Sequence, residues 1–129
     1  MQELTLDGMN IGDDGIISLG PHLAKMMDIQ NLDLRLNNIH EGGFQLLVPH
    51  LAHLVFIKQL KIGSNTVHFV PNMHACWLNR CGTFGAMVLG PHLGNLKQIQ
   101  VLDLTNNDLG DLGVTSLGPT WPVSLSSRI

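Results

Sequence analysis

The chain has 129 residues, with seven Lys plus Arg against ten Asp plus Glu, which gives a formal net charge of −3. That length suits a single domain, and the few scattered basic residues disfavour a nucleic-acid-binding face, which needs clustered Lys and Arg to displace counterions. Apolar residues make up 44% of the chain and charged residues 13%, a composition that suits a buried core and disfavours disorder.

No segment has the composition of a membrane anchor or a secretory signal. The longest wholly aliphatic or aromatic stretch, residues 54–57, is far below the roughly 20 residues that a membrane span needs. The first seven residues contain no basic segment followed by an apolar one. Two cysteines, Cys76 and Cys81, are too few to form the disulfide framework of a small secreted fold. We therefore expect a cytoplasmic protein without a membrane span.

A string of regularly spaced apolar residues opens the chain and returns three times. The first copy reads Leu4-x-Leu6-x-x-Met9-x-Ile11, and the later copies begin at Leu32, Leu60 and Leu102, each with asparagine in place of the methionine. The first residues of successive copies are 28, 28 and 42 positions apart. Because the apolar residues at the start of each copy alternate with polar ones, each copy predicts a short strand with one apolar face.

A second repeated string follows each strand pattern. Its copies begin at four equivalent glycines, namely Gly15, Gly43, Gly85 and Gly113. In the second copy Phe44, Leu47, Leu51 and Leu54 have the spacing of an apolar stripe on an amphipathic helix. The glycines are suited to a tight turn or to close packing between neighbouring units. The sequence therefore predicts units of one strand plus one helix.

Two further columns of residues accompany the helices. The first, just before each helix, contains Asp13, Glu41, Thr83 and Asp111. Asp and Thr suit an N-cap, and a glutamate complements the positive end of the helix dipole. The second column, well inside each helix, contains Pro21, Pro49, Pro91 and Pro119. Because an internal proline removes a helical hydrogen bond, we expect each helix to be bent or split there.

An insertion interrupts the third unit. The pattern stops after Val67 and resumes at Gly82, so residues 68–81 form a 14-residue insertion. It contains His68, His74 and both cysteines, which are side chains that can bind zinc. Their spacing matches no well-known zinc pattern, so we assign no metal ligands. A surface loop with free thiols and a segment from a retained intron or mis-joined exon both stay open as explanations.

The combined pattern resembles a known family. Leu-x-x-Leu-x-Leu-x-x-Asn-x-Leu followed by a helix, with a 28-residue period, is similar to leucine-rich repeats of the ribonuclease-inhibitor type, which also occur in NOD-like receptors and Ran GTPase-activating proteins. The resemblance implies a curved α/β solenoid, with parallel strands on the concave face and helices on the convex face. Four repeats are expected, at about residues 1–28, 29–56, 57–98 with the insertion, and 99–129.

The resemblance also assigns a role to the asparagine column. In this family the asparagine bonds to turn backbone inside the coil. Met9 occupies that position in the first unit, so the first turn is expected to be less well satisfied.

The expected function is protein recognition and not catalysis. Ser18 and Ser116 lie in helical halves outside any Gly-x-Ser-x-Gly elbow, and no phosphate-binding Gly-x-x-x-x-Gly-Lys-Ser/Thr loop occurs. We therefore expect no enzyme activity and no cofactor. The resemblance implies a module that binds a protein partner through its concave face, as a fragment of a NOD-like receptor-type protein of innate immunity. The alternative is a fragment of a GTPase-activating leucine-rich repeat regulator.

Outward-facing strand positions are the candidate partner-binding residues. They are Asp7, Asp33, Arg35, Lys61, Asp103 and Thr105. Thr5 and Gly63 complete the two rows that these residues form across the strands, and Glu3, Asn31, Gln59 and Val101 flank them. The set is polar, mixed in sign and without aromatic residues, and Arg35 is the candidate anchor because arginine is enriched where binding energy concentrates. A merely solvated sheet face is the other interpretation of the same residues.

Overall fold

A computed structural model describes residues 2–63, 82–104, 109–117 and 126–128 of the chain. Strands and helices alternate along it, in the order β1 (Glu3–Thr5), α1 (Gly12–Ala24), β2 (Asn31–Asp33), α2 (Glu41–Leu51), β3 (Gln59–Lys61), α3 (Gly82–Leu93), β4 (Val101–Asp103), α4 (Gly110–Leu117) and β5 (Ser126–Arg128). The strands form one parallel sheet in chain order. The result is a small α/β fold in which helices lie between successive parallel strands in the chain.

The repeated leucines lie side by side in the sheet. Leu4, Leu32, Leu60 and Leu102 pair in one row across β1 to β4, which confirms the prediction of parallel strands in chain order. Each strand begins one residue before its leucine. The sequence pattern did not predict β5, which pairs with β4.

The units also repeat at the level of single backbone hydrogen bonds. The amide before each of β2, β3 and β4 donates to the carbonyl before the preceding strand, and all three bonds measure 2.7 Å. The helices pack side by side in the same order, α1 on α2, α2 on α3 and α3 on α4. Strand and helix therefore form two layers with one core between them.

The core is built from the apolar columns of both halves of the unit. Leu32, Leu34, Leu60 and Ile62 from the strand side are fully buried. Phe44, Leu47 and Leu51 of the predicted stripe lie on α2 and are buried, and Leu54, which is buried too, lies beyond the end of the helix. Burying one such side chain contributes about 1.5–3 kcal/mol, so the repeated columns supply the stability of the sheet.

Three helices begin at a glycine in the left-handed backbone region. Gly12, Gly82 and Gly110 have φ angles of +68°, +68° and +67°. The equivalent residue before α2, His40, has φ −101° and ψ −173°, an extended conformation that any residue adopts. This difference explains why only the second unit lacks a glycine there. It also confirms that the pattern resumes at Gly82.

The positive φ angle at the first residue of α1 predicts a contrast between alanine substitutions at two equivalent positions. Gly12→Ala should destabilise the fold by about 1 kcal/mol, because a Cβ at Gly12 meets no neighbour and the cost is conformational alone. His40→Ala places no residue in the left-handed region and serves as the matched control. Urea unfolding followed by circular dichroism measures both. Equal midpoints for the two variants would contradict the assigned backbone geometry.

The expectation that Asp13 caps its own helix is wrong. The helix begins one residue earlier, so Asp13 lies in the first turn of α1, and the N-cap residue Ile11 makes no side-chain capping bond. The Asp13 carboxylate instead accepts a 2.8 Å hydrogen bond from the amide of His40 at the start of α2. It also lies so close to Gly43 that a Cβ there would collide with it. Asp13 therefore links two units, and Gly43 permits the close approach.

Another glycine makes room for a histidine of the next unit. A Cβ on Gly20 in α1 would collide with the imidazole of His50 in α2. His50 recurs as His22 and His92 at the equivalent positions of the first and third units, and the contact with Gly20 gives it a packing role in the second.

Each helix was expected to be bent or split at its proline, and three of the helices are not split. α1, α2 and α3 run through Pro21, Pro49 and Pro91 without interruption. Each proline lies near the helix C-terminus on the exposed side, as does the residue four positions earlier. The carbonyl that loses its partner can therefore bond to water, which lowers the cost of the missing amide.

Several sequence-based expectations lie outside the described residues. They are the insertion at residues 68–81 with its cysteines and histidines, the repeated asparagines Asn65 and Asn107, and Pro119.

Candidate functional site

One face of the sheet carries the polar residues of the strands. Side chains alternate along a strand, so residues next to the core leucines point away from the helices. We call this surface the polar sheet face; it comprises Glu3, Thr5, Asp7, Asn31, Asp33, Arg35, Gln59, Lys61 and Asp103. A groove crosses β1 to β3 on this face and is lined by six of these residues, from Glu3 to Lys61, together with Leu4 and Leu32. The polar sheet face contains most of the predicted partner-binding residues.

Arg35 and Asp33 form a close ion pair at the centre of this face. The Arg35 Nη2 atom donates to Asp33 Oδ2 at 2.6 Å, and Nε donates to both carboxylate oxygens at 2.9 and 3.1 Å. The backbone amide of Arg35 also donates to Asp33 Oδ1 at 3.1 Å. The exposed fractions of the two side chains are 14% and 11%. The pair is therefore oriented before any partner arrives.

Surrounding carboxylates keep the guanidinium charged. The hydrogen bonds to Asp33 raise the pKa of Arg35 above its ordinary value, and the negative charges of Asp33, Asp7 and Asp103 act in the same direction. Partial burial opposes this effect but does not overcome it. Arg35 thus stays a cation at any pH at which the protein is studied.

Two aspartates of the polar sheet face are less exposed than strand alternation predicts. Counted as whole residues, backbone included, Asp33 and Asp103 are 8% and 6% exposed. Asp33 is covered by the guanidinium that binds it, and Asp103 lies within electrostatic reach of the same group. The interpretation of these positions as simply solvated is therefore wrong for both aspartates.

The other predicted site residues have varied surroundings. Asp7 and the flanking Thr5 are exposed, and Lys61 is half-buried beside Asp33 in the register of β2 and β3. Thr105 lies outside the described residues. Four carboxylates, those of Glu3, Asp7, Asp33 and Asp103, stand against the two cations Arg35 and Lys61, so the polar sheet face has a formal charge of −2.

A buried asparagine fixes the turn beside this face. The Asn37 Oδ1 atom accepts from the amides of Met9 and Ile11 at 3.0 and 3.3 Å. Its Nδ2 atom donates to the carbonyls of Leu6, Leu34 and Arg35 at 2.8, 3.0 and 3.1 Å. The turn was expected to be less well satisfied because Met9 replaces the asparagine, but Asn37 of the next unit supplies partners for these backbone groups. The asparagine reaches back by one unit, which the pattern did not indicate.

Sequence reasoning missed the ion pair, although a signal for it exists. Asp33 and Arg35 are two positions apart, and residues at that separation on an extended chain share a face. An acid and a base at such positions are within reach of each other. The sequence therefore contained the signal for a tethered arginine, in place of the free anchor that we expected.

Among the described residues, no group of three or more His, Cys, Asp or Glu side chains could hold a metal ion. Within the same residues, none of the helices is both long enough and apolar enough to cross a bilayer.

Comparison with known proteins gives no relative from which a function could be transferred. No protein-family model matches the sequence, and none of the curated proteins matches it.

Proposed function

We propose that this chain is a non-enzymatic protein-interaction module that binds its partner on the polar sheet face. The observation that carries the proposal is the Asp33–Arg35 pair, which presents a guanidinium held by three hydrogen bonds at the centre of a broad polar surface. A side chain that is already fixed loses little conformational entropy on binding. An arginine in that position is suited to be an anchor for a partner.

The proposed architecture is a leucine-rich repeat solenoid in which the polar sheet face is concave. Three features support it: the 28-residue spacing of the leucines, their pairing in one row, and the repeated 2.7 Å backbone bonds. On this proposal the chain is a fragment of a NOD-like receptor-type protein. In a scaffold of this kind, partner identity depends on surface residues, so the repeat pattern does not name the partner.

The proposal predicts that substitutions on the sheet face, and not those on the helix side, weaken binding. A partner is captured with the immobilised chain, purified, and titrated by calorimetry against Lys61→Ala and Lys97→Ala. These are the same substitution on a strand and on the exposed turn before β4. Loss of an exposed ion pair is worth about 0–1 kcal/mol, so Lys61→Ala should weaken binding by several-fold at most. Lys97→Ala should leave the affinity unchanged.

Arg35→Ala is the sharper variant. Removal of the guanidinium should cost about 2 kcal/mol of binding free energy if this group is the anchor. The substitution also leaves the mostly buried Asp33 carboxylate without its cation. The melting temperature of the variant is therefore measured first, and binding is titrated well below that temperature. Equal affinities for Arg35→Ala and Lys97→Ala, or a loss only with Lys97→Ala, would move the binding surface to the helix side.

A further inference from the structure

The turns that lead from the first three helices into the next strands are built alike. In each turn the amide of an isoleucine, Ile29, Ile57 or Ile99, donates to the carbonyl three residues earlier at 3.1 Å. All three isoleucines are fully buried. The two residues just before each isoleucine are exposed in all three turns, so they form the outer end of each unit.

Two of the three turns carry apolar side chains at these exposed positions. Met27 in the first turn and Val55 and Phe56 in the second are 54%, 39% and 43% exposed. The third turn has Lys97 and Gln98 there, so the fold does not require apolar residues at these positions. The first two turns are adjacent, because β2 and β3, which follow them, pair in register. The three apolar side chains therefore form an exposed patch, which marks an interaction site when polar residues surround it.

Lysines surround this apolar patch. Three of the four lysines of the chain lie in or beside the same turns, namely Lys25, Lys58 and Lys97. Lys25 and Lys97 are exposed, and Lys58 is half-buried. We call this region the turn surface; it comprises Lys25, Met27, Asp28, Val55, Phe56, Lys58 and Lys97. Its three lysines and one aspartate give a formal charge of +2, against −3 for the whole chain.

The opposite end of the units has the opposite sign. The described residues that lead from strands into helices or begin the helices include five carboxylates and one cation, Arg35. The carboxylates belong to Asp7, Asp13, Asp14, Glu41 and Asp111. Because the charges are separated in this way, a negatively charged surface attracts the turn surface and repels the other end, which orients the chain.

We propose that the turn surface binds the face of an anionic lipid bilayer. Met27, Val55 and Phe56 enter the boundary between headgroups and acyl chains, and the three lysines lie among the headgroups. A lysine is a hydrated point charge on a flexible stem, so a charged surface attracts it without requiring a fixed geometry. Recognition of an acidic protein favours arginine, which binds a carboxylate through two hydrogen bonds, and the turn surface contains no arginine.

The contact should be weak and sensitive to salt. Each lysine near an anionic surface raises the partition coefficient about fivefold, and added salt screens this attraction. Burial of the exposed part of the Phe56 ring adds about another fivefold. The turn surface shares no residue with the polar sheet face, so lipid binding is independent of the protein partner proposed above.

The test measures co-sedimentation of the chain with vesicles of phosphatidylcholine alone and of phosphatidylcholine and phosphatidylserine in equimolar mixture. Phe56→Gln introduces the residue that the third turn has at the same position, and Leu46→Gln, on the exposed side of α2, is its matched control. Circular dichroism first checks that each variant folds and melts as the wild-type chain does.

A second pair of variants tests the charge of the turn surface. Lys25→Gln combined with Lys97→Gln lowers the formal net charge by two. Ser18→Glu combined with Gln45→Glu lowers it by the same amount at exposed positions of α1 and α2. The comparison separates the local effect of the lysines from the effect of net charge.

The wild-type chain should sediment with the mixed vesicles far more than with phosphatidylcholine alone, and added salt should release it. Phe56→Gln should bind about fivefold more weakly and the double lysine variant about 25-fold more weakly, with both controls within about twofold of the wild-type chain. Absence of binding to the mixed vesicles at low salt would overturn the inference, as would equal losses for either variant and its control. A chain that binds polyglutamate through the same residues and leaves the vesicles unbound would assign the turn surface to an acidic protein instead.

Discussion

Leu34→Asp should unfold the chain at room temperature. Leu34 is fully buried, and its amide donates to the carbonyl of Lys61 at 2.8 Å in the sheet. The substitution removes about 1.5–3 kcal/mol of apolar burial and places in the core a carboxylate whose desolvation costs several kcal/mol. The combined cost approaches the about 5–15 kcal/mol that stabilises a typical domain. The far-ultraviolet circular dichroism of the variant should therefore lack the helical signal of the wild-type chain.

Leu6→Asp is the matched control, because Leu6 has the equivalent position in the first unit and is only partly buried. Its carboxylate can reach water, so this variant should fold with a lowered melting temperature and a single cooperative transition. A Leu34→Asp variant that is soluble and unfolds cooperatively at the wild-type midpoint would contradict the assigned burial of the leucine column.

The alternation of strands and helices could be predicted because each signal occurs several times. A single Leu-x-Leu triplet is weak evidence for a strand, but four copies followed by the same helical string reinforce one another. Parallel pairing follows from the same repetition, since equivalent units stack with equivalent residues adjacent. The row of Leu4, Leu32, Leu60 and Leu102 is the direct result.

The fifth strand could not be predicted by the same reasoning. Ser126, Ser127 and Arg128 show neither apolar alternation nor β-branched residues. They form a strand by pairing with the edge of β4, so the determinant is a backbone surface elsewhere in the fold and not the local pattern. The uninterrupted helices through Pro21 and Pro49 have a similar origin, since the exposure of the affected carbonyl depends on packing.

The candidate site was predictable in position but not in its interactions. Strand alternation placed Asp33, Arg35 and Lys61 on one face, and the structure has them there. Which side chains are covered depends on how long side chains fold over their neighbours, and a pattern of residue types does not contain that information. The link from Asp13 to the amide of His40 likewise joins residues of two units, 27 positions apart.

The polar links between units have a consequence for the sheet face. Asn37 and Asp13 connect the first unit to the second through bonds to backbone, so the turns that lead from strand to helix are fixed by neighbouring units. Arg35 lies in the turn that Asn37 holds, since the Arg35 carbonyl accepts from it at 3.1 Å. The orientation of the charged pair thus depends on a residue that contributes nothing to the polar surface itself.

Asn37→Ala should lower the free energy of unfolding by about 3 kcal/mol. The substitution leaves the amides of Met9 and Ile11 without their shared acceptor and removes one donor from the carbonyls of Leu6, Leu34 and Arg35, of which the last keeps a 3.0 Å bond from the amide of Gly8. Each buried group left unsatisfied costs about 1–3 kcal/mol before water and relaxation recover part of it. Asn37→Asp keeps one acceptor but turns a second, negatively charged oxygen toward the three carbonyls at a fully buried position, so at neutral pH it should be at least as destabilising as Asn37→Ala. Urea unfolding measures all three.

Asn95→Ala provides the matched control, because Asn95 is exposed in the turn after α3. Its free energy of unfolding should stay within about 0.5 kcal/mol of the wild-type value, as for surface substitutions in general. Hydrogen exchange then localises the effect. Relative to the wild-type chain, the exchange rates of the Met9 and Ile11 amides should rise more in Asn37→Ala than those of α3, which lies two units away. If Asn37→Ala and Asn95→Ala unfold at the same urea concentration, the asparagine does not hold the first two units together. The orientation of Arg35 would then have to depend on Asp33 alone.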